Sequence, residues 1–141
     1  MKEEIAKLWI DALRSGDYKQ TKSALCKEYS DGCAFCCLGV LCDIYTKHGD
    51  KACEVFTSES LEYEKNSNKP YKSRFFNGHA SVLPEDVVLW AGLKSGTPFV
   101  KNNTGGLHSE KDLIEIITLN DTLNRSFTEL ANEIELQFRN M

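Results

Sequence analysis

The stretch C-A-F-C-C-L-G-V-L-C, Cys33 to Cys42, holds four of the chain's six cysteines. Three chemistries use such residues: a metal centre, a thiol nucleophile and a redox pair. Cys33-Ala34-Phe35-Cys36 has C-x-x-C spacing, but a structural zinc needs four ligands in a tetrahedron. No second C-x-x-C and no H-x-x-x-H accompanies it, so further ligands would have to come from Cys26, Cys37, Cys42, His48 and Cys53. With residues 37 to 45 read as a helix, Cys37 and Cys42 diverge by about 140° around the axis, too far to chelate one ion together. A nucleophilic thiol needs a lowered pKa and a base within reach, and His48, His79 and His108 each stand alone, outside any catalytic motif. The thioredoxin pattern fails because the C-x-x-C follows a turn signal and opens no βαβ unit. Cysteine is among the most buried residue types and packs as a small hydrophobe. Beside Leu38, Val40 and Leu41, therefore, Cys37 and Cys42 read as core. No catalytic residue, metal ligand or cofactor is assigned, and zinc at Cys33 and Cys36 is the alternative.

A second group of residues suits ligand binding. Lys65, Lys69, Lys72 and Arg74 alternate with Tyr63, Tyr71, Phe75 and Phe76, no acid lies between Lys65 and Glu85, and Asn77 and His79 add hydrogen-bonding groups. Cations pair with anionic oxygens and rings stack on planar groups, so the combination fits an anionic, nucleotide-like ligand. The expected binding residues are Tyr71, Lys72, Arg74 and His79, with Gln20 and Asn120 completing the pocket. The plainer alternative is a solvated basic loop over a β core, with Asn120 and Asp121 serving as local turn and capping residues. Gly105-Gly106 lacks the context of a phosphate-binding glycine loop.

The elements that must position these residues follow from periodicity. Ile5, Leu8, Trp9, Ala12 and Leu13 form the stripe of an amphipathic helix over residues 2 to 15, closed by Gly16. Ser30-Asp31-Gly32 separates SALCKEY from CAFC as a hairpin turn. Residues 37 to 45 are apolar on nearly every side, which describes a buried central helix ending at His48-Gly49. Two to four short strands are expected between Cys53 and Val82, joined by a loop over Asn66 to Pro70. Pro84, Glu85 and Asp86 start a short helix that Gly92 stops. A turn at Asn102 to Gly106 precedes a helix capped by Ser109 and running over Leu113, Ile116 and Ile117. Ser126 and Glu129 form a capping box for a last helix carrying Phe127, Leu130, Ala131, Ile134 and Phe138, hinged to its predecessor at Asn120 to Arg125. The expected class is α+β in a single domain, 1–141: a small antiparallel sheet from residues 18 to 36 and 54 to 82, packed against the central helix, with an N-terminal helix and a C-terminal helix pair.

At 141 residues the chain can bury a core without staples. Its net charge of −4 and pI of about 5.4 oppose general binding to nucleic-acid backbones. The charged start, Met1 to Gly16, has neither a signal peptide's apolar run nor the length of a membrane span. A cytoplasmic protein with its cysteines reduced is expected.

Four ordered motifs carry a resemblance: W-x-x-A-L-R-S-G-x-Y-x-Q (Trp9 to Gln20), C-C-L-G-V-L-C-D (Cys36 to Asp43), L-P-x-x-V-x-x-W-x-G-L (Leu83 to Leu93) and L-N-D-x-x-x-x-x-F (Leu119 to Phe127). Together they resemble a widespread family of small uncharacterised bacteriophage and prophage proteins. The resemblance implies a setting, the cytoplasm of an infected or lysogenic bacterium, and no residue roles. Three function classes are set against one another. The first is non-enzymatic binding of a small anionic, nucleotide-like ligand, in a phage setting as a counter to host defence signalling. The second is an interaction module for a host protein. The third is a small hydrolase or transferase using a Cys or His. Oligomeric state is left open.

Overall fold

The computed structural model describes residues 1–101 and 113–141. The expected turn at Asn102 to Gly106, His108 and the Ser109 cap lie outside the described residues. The N-terminal stripe folds as α1 (Glu3–Arg14), which buries Ile5, Trp9 and Leu13 and carries Glu3 and Glu4 at its positive end. A two-residue strand, β1 (Lys19–Gln20), precedes the expected hairpin of β2 (Cys26–Tyr29) and β3 (Gly32–Phe35). The central helix α2 (Cys37–His48) follows directly, with Cys36 as its N-cap accepting from the Gly39 N–H at 3.4 Å. Packing requires the glycine of C-C-L-G: a Cβ at Gly39 would lie 1.7 Å from the Leu25 carbonyl oxygen, so only glycine lets the helix cross that backbone.

The middle of the chain gives three strands, β4 (Val55–Thr57), β5 (Glu62–Tyr63) and β6 (Pro70–Phe76), and then α3 (Glu85–Ala91), closed by Gly92 at φ 68°. Strands β7 (Phe99–Lys101) and β8 (Leu113–Glu115) pair antiparallel, and α4 (Ile116–Asp121) and α5 (Phe127–Gln137) complete the chain with a short 3-10 turn, Phe138–Asn140. The Ser126 and Glu129 capping box is formed in both directions. Leu113, expected in a helix, is in β8: it pairs with Lys101, and the helix starts only at Ile116 after an extended Glu115. Ladder hydrogen bonds to β7 win over helical periodicity there.

The α+β class holds. The main sheet has the order β1-β3-β2-β6-β4, with β5 also on β6. It is antiparallel except at one edge, where β1 runs parallel to β3. Its two faces differ. Cys26, Phe35 and Phe76 point to one side and join the helical core built on Trp9, Leu38, Leu41, Leu130 and Ile134. The Trp9 indole N–H donates to the Cys37 carbonyl at 2.9 Å, tying α1 to the start of α2. The other face has no helix over it among the described residues and carries Lys27, Ala34, Tyr71 and Ser73. Among the described residues, no helix is long and apolar enough to cross a membrane.

Candidate functional site

A groove of about 540 Å³ runs along the open face. Strand alternation builds it. Lys27 sits opposite Ala34 in the β2–β3 ladder and opposite Ser73 in the β2–β6 ladder, and Lys19 opposite Ala34, so these side chains share one face. Tyr29 at the end of β2 and Tyr71 on β6 add rings, while the β5–β6 connection brings Glu64, Lys65 and Lys69 over the top. Five lysines, at 19, 22, 27, 65 and 69, thus face one carboxylate, Glu64, and three tyrosines, Tyr29, Tyr63 and Tyr71.

The floor is ordered by contacts among these groups. Lys27 is only 4% exposed; its ammonium lies 2.9 Å from Glu64 Oε1 and 4.6 Å from the centre of the Tyr71 ring. The Tyr29 hydroxyl donates to the same Glu64 oxygen at 2.5 Å. Lys69 lies 4.4 Å over the Tyr29 ring and 3.3 Å from Asp31. Burial alone would raise the Glu64 carboxyl, but the hydrogen bonds from Tyr29 and Lys27 hold it below its ordinary value. Burial and that same bond push the Tyr29 phenol up to about 12. Both groups therefore keep one protonation state around neutrality. Lys19, Lys22 and Lys65 have no ion-pair partner among the described residues. Ammonium donors beside ring faces can pair with phosphate or carboxylate oxygens and stack a planar group.

The pleat divides the six residues expected from the sequence. Tyr71 and Gln20 border the groove, but Gln20 is in register with Phe35 and its amide donates to Asn120 Oδ1 and the Arg125 carbonyl, both at 2.8 Å. Lys72 and Arg74 project from the opposite side of β6, because side chains alternate along a strand. Lys72 is in register with Glu28, and Arg74 lies 2.6 Å from Glu28 and 3.2 Å from Cys33 Sγ. Arg74 is thus spent on an ion pair at the rim of the core. His79 is exposed on the turn after β6, where its backbone brackets Phe76 at 2.8 and 2.9 Å. Asn120 is 0% exposed and fully engaged. Its oxygen accepts from Gln20 Nε2 at 2.8 Å and the Cys37 N–H at 3.3 Å, and its amide donates to the Thr21 carbonyl at 2.9 Å and to Asp121 at 2.8 Å. It latches β1, α2 and α4 together and leaves no valence for a ligand.

Lys19, Lys22, Lys27 and Tyr29 were not among the residues the sequence pointed to. The signal for them is present in Y-K-Q-T-K-S-A-L-C-K-E-Y, where three lysines and two rings recur with one acid, but only the β2–β6 pairing shows that this segment and residues 63 to 71 share a groove.

The cysteines are spread over the core and its edge. Cys26, Cys36, Cys37 and Cys42 are 0% exposed, whereas Cys33 and Cys53 are half-buried. Burial pushes the Cys26 and Cys36 thiols up to about 12 and the Cys37 and Cys42 thiols well above their ordinary value, the opposite of an activated nucleophile. Among the described residues, no three His, Cys, Asp or Glu side chains are grouped as metal ligands would be.

No curated protein and no solved structure gives a significant match to the chain. A family model described as a domain of unknown function, DUF8296, matches residues 1–138, and the chain belongs to that family.

Proposed function

We propose that the protein binds a small anionic, nucleotide-like ligand in the groove on the open face of its sheet, without transforming it. One observation carries the reading: in a chain of net charge −4, five lysines and three tyrosines converge on a single groove, and three of those lysines lack an acidic partner among the described residues. Positive potential focused in a concavity raises the local concentration of anions. In the phage setting that the four sequence motifs suggest, the ligand is a host nucleotide signal and the protein acts by holding it in the bacterial cytoplasm.

A thermal-shift survey of nucleotides tests this. A ligand at 100 times its dissociation constant stabilises the folded state by about 2.7 kcal/mol. The expected result is a shift for at least one nucleotide, shrinking as salt rises. The shift should be abolished in Lys22→Glu with Lys65→Glu, whose own melting temperature stays near the parent's because exposed charges contribute little to folding. A survey without a shift, or a double variant that responds like the parent, contradicts the proposal.

A further inference from the structure

The groove does not end at Tyr71. A second hollow of about 300 Å³ continues along β6 and shares Ser23 and Tyr71 with the first as lining residues. Its chemistry is different. Among the described residues no lysine or arginine lines it; serine hydroxyls, the Glu62 carboxylate and the Phe75 ring do. Ser58 and Ser73 are used internally, Ser58 accepting from the Ser73 N–H at 3.2 Å and the Ser73 hydroxyl donating to Glu62 at 2.8 Å. The hydroxyls of Ser23, Ser60 and Ser81 have no protein partner among the described residues. Phe75 is held rigid by stacking on Phe56, with ring centroids 4.8 Å apart and planes inclined by 4°. Tyr71, Ser73 and Phe75 lie on one face of the strand and span about 13 Å, enough to underlie a sugar and a base. Ser23, at the junction, holds a left-handed backbone with φ 67°, a conformation that costs a residue with a side chain more than glycine and so keeps a hydroxyl there at the expense of strain.

We infer that the ligand is bipartite: a nucleoside phosphate whose phosphates meet the lysines and whose uncharged sugar and base extend past Tyr71 into the serine-lined hollow beside Phe75. The inference rests on the groove's being an anion site, as proposed above, and adds what the rest of the ligand is. Free hydroxyls and a carboxylate acceptor match the donors and acceptors of a sugar, an aromatic face matches the base, and a hollow without cations gives a second phosphate group no partner. Both hollows fall in the size range of small-molecule sites, roughly 300 to 1,000 Å³.

The test compares inorganic tripolyphosphate with ATP, GTP, CTP and UTP by calorimetric titration. Three proteins are needed: the parent, Ser81→Phe, which fills the hollow, and Ser60→Ala with Ser81→Ala, which removes hydroxyls without filling it. The tightest of the four nucleotides should bind the parent at least about tenfold more tightly than tripolyphosphate, a difference of about 1.4 kcal/mol. Ser81→Phe should bring that nucleotide down to the tripolyphosphate value while leaving tripolyphosphate itself unchanged, and the double alanine variant should fall between. Retained tripolyphosphate binding also shows that each variant is folded. Equal affinities for tripolyphosphate and every nucleotide in the parent, or an unchanged ratio in Ser81→Phe, overturn the bipartite ligand and leave the anion groove standing. If neither tripolyphosphate nor any nucleotide binds, the groove reading falls and this inference with it.

Discussion

Asn120 shows how a polar residue that looks available for a ligand can serve the fold. All its hydrogen-bonding capacity is committed to Gln20, Thr21, Cys37 and Asp121 at 0% exposure, so removing the amide leaves buried partners without bonds. Such unsatisfied groups cost about 1–3 kcal/mol each. Asn120→Ala should therefore lower unfolding free energy by about 3 kcal/mol in urea titration, with Gln20→Ala losing less because Gln20 is exposed; equal small losses would contradict the latch. The cysteines make a second residue-scale prediction. Folding holds Cys26 and Cys36 as thiols up to about 12, whereas the unfolded chain ionises them near their ordinary 9.0. Between those values the folded state binds more protons, so stability is fully present below pH 9 and falls as pH rises toward 12. Melting temperature measured from pH 7 to 11 should be level to about pH 9 and then decline, less steeply in Cys36→Ala, and a level profile to pH 11 would refute the burial of these thiols. The cysteine-rich run was legible as core because its neighbours are apolar on all sides. That Gly39 must clear Leu25 was not, since that contact arises only when α2 packs on the segment before β2.

Among the elements, α3 and α5 were readable because they carry local signals of their own: Gly92 after α3, and Ser126 with Glu129 before α5. Strands carry less local information. β1 has two residues, and its parallel pairing with β3 has no sequence signature; β8 looked helical because Leu113, Ile116 and Ile117 have helical spacing. The candidate site suffered most from the pleat. Tyr71, Lys72 and Arg74 are neighbours in sequence, yet alternation sends Tyr71 to the groove and the two cations to the Glu28 side. Had the strand's register been known, the same alternation would have separated them. The C-terminal helix is integral to the packing. Leu130 and Ile134 are 0% exposed against α1, and Arg14 reaches across to Glu135 and Asn132, both at 2.8 Å. Burying one such side chain contributes about 1.5–3 kcal/mol, and α1 alone cannot cover its own stripe. Deleting residues 124 to 141 should leave an insoluble or molten product with retained far-ultraviolet but lost near-ultraviolet dichroism. A cooperative melt near the parent's midpoint would show that α5 is dispensable.

Over the whole molecule, charge is distributed against its average. The chain is acidic, yet its uncovered sheet face gathers lysines from β1, the β1–β2 connection, β2 and the β5–β6 connection. Helices cover the opposite face, so the sheet's sidedness places the lysine-lined groove on the open side. The basic and aromatic composition of residues 63 to 76 was legible; its placement on two faces, and its partnership with Lys19, Lys22 and Lys27, required the fold. Amide chemical-shift mapping during titration with a nucleoside triphosphate is the most direct measurement, because it locates binding as well as detecting it. The predicted result is perturbation of residues 19 to 29, 63 to 65 and 69 to 71, and of residues 58 to 62, 73 to 75, 80 and 81 where the sugar and base lie, with the amides of α1 and α5 unchanged. Shifts centred on α1 and α5, or no shifts at millimolar nucleotide, would contradict a ligand site on the open face.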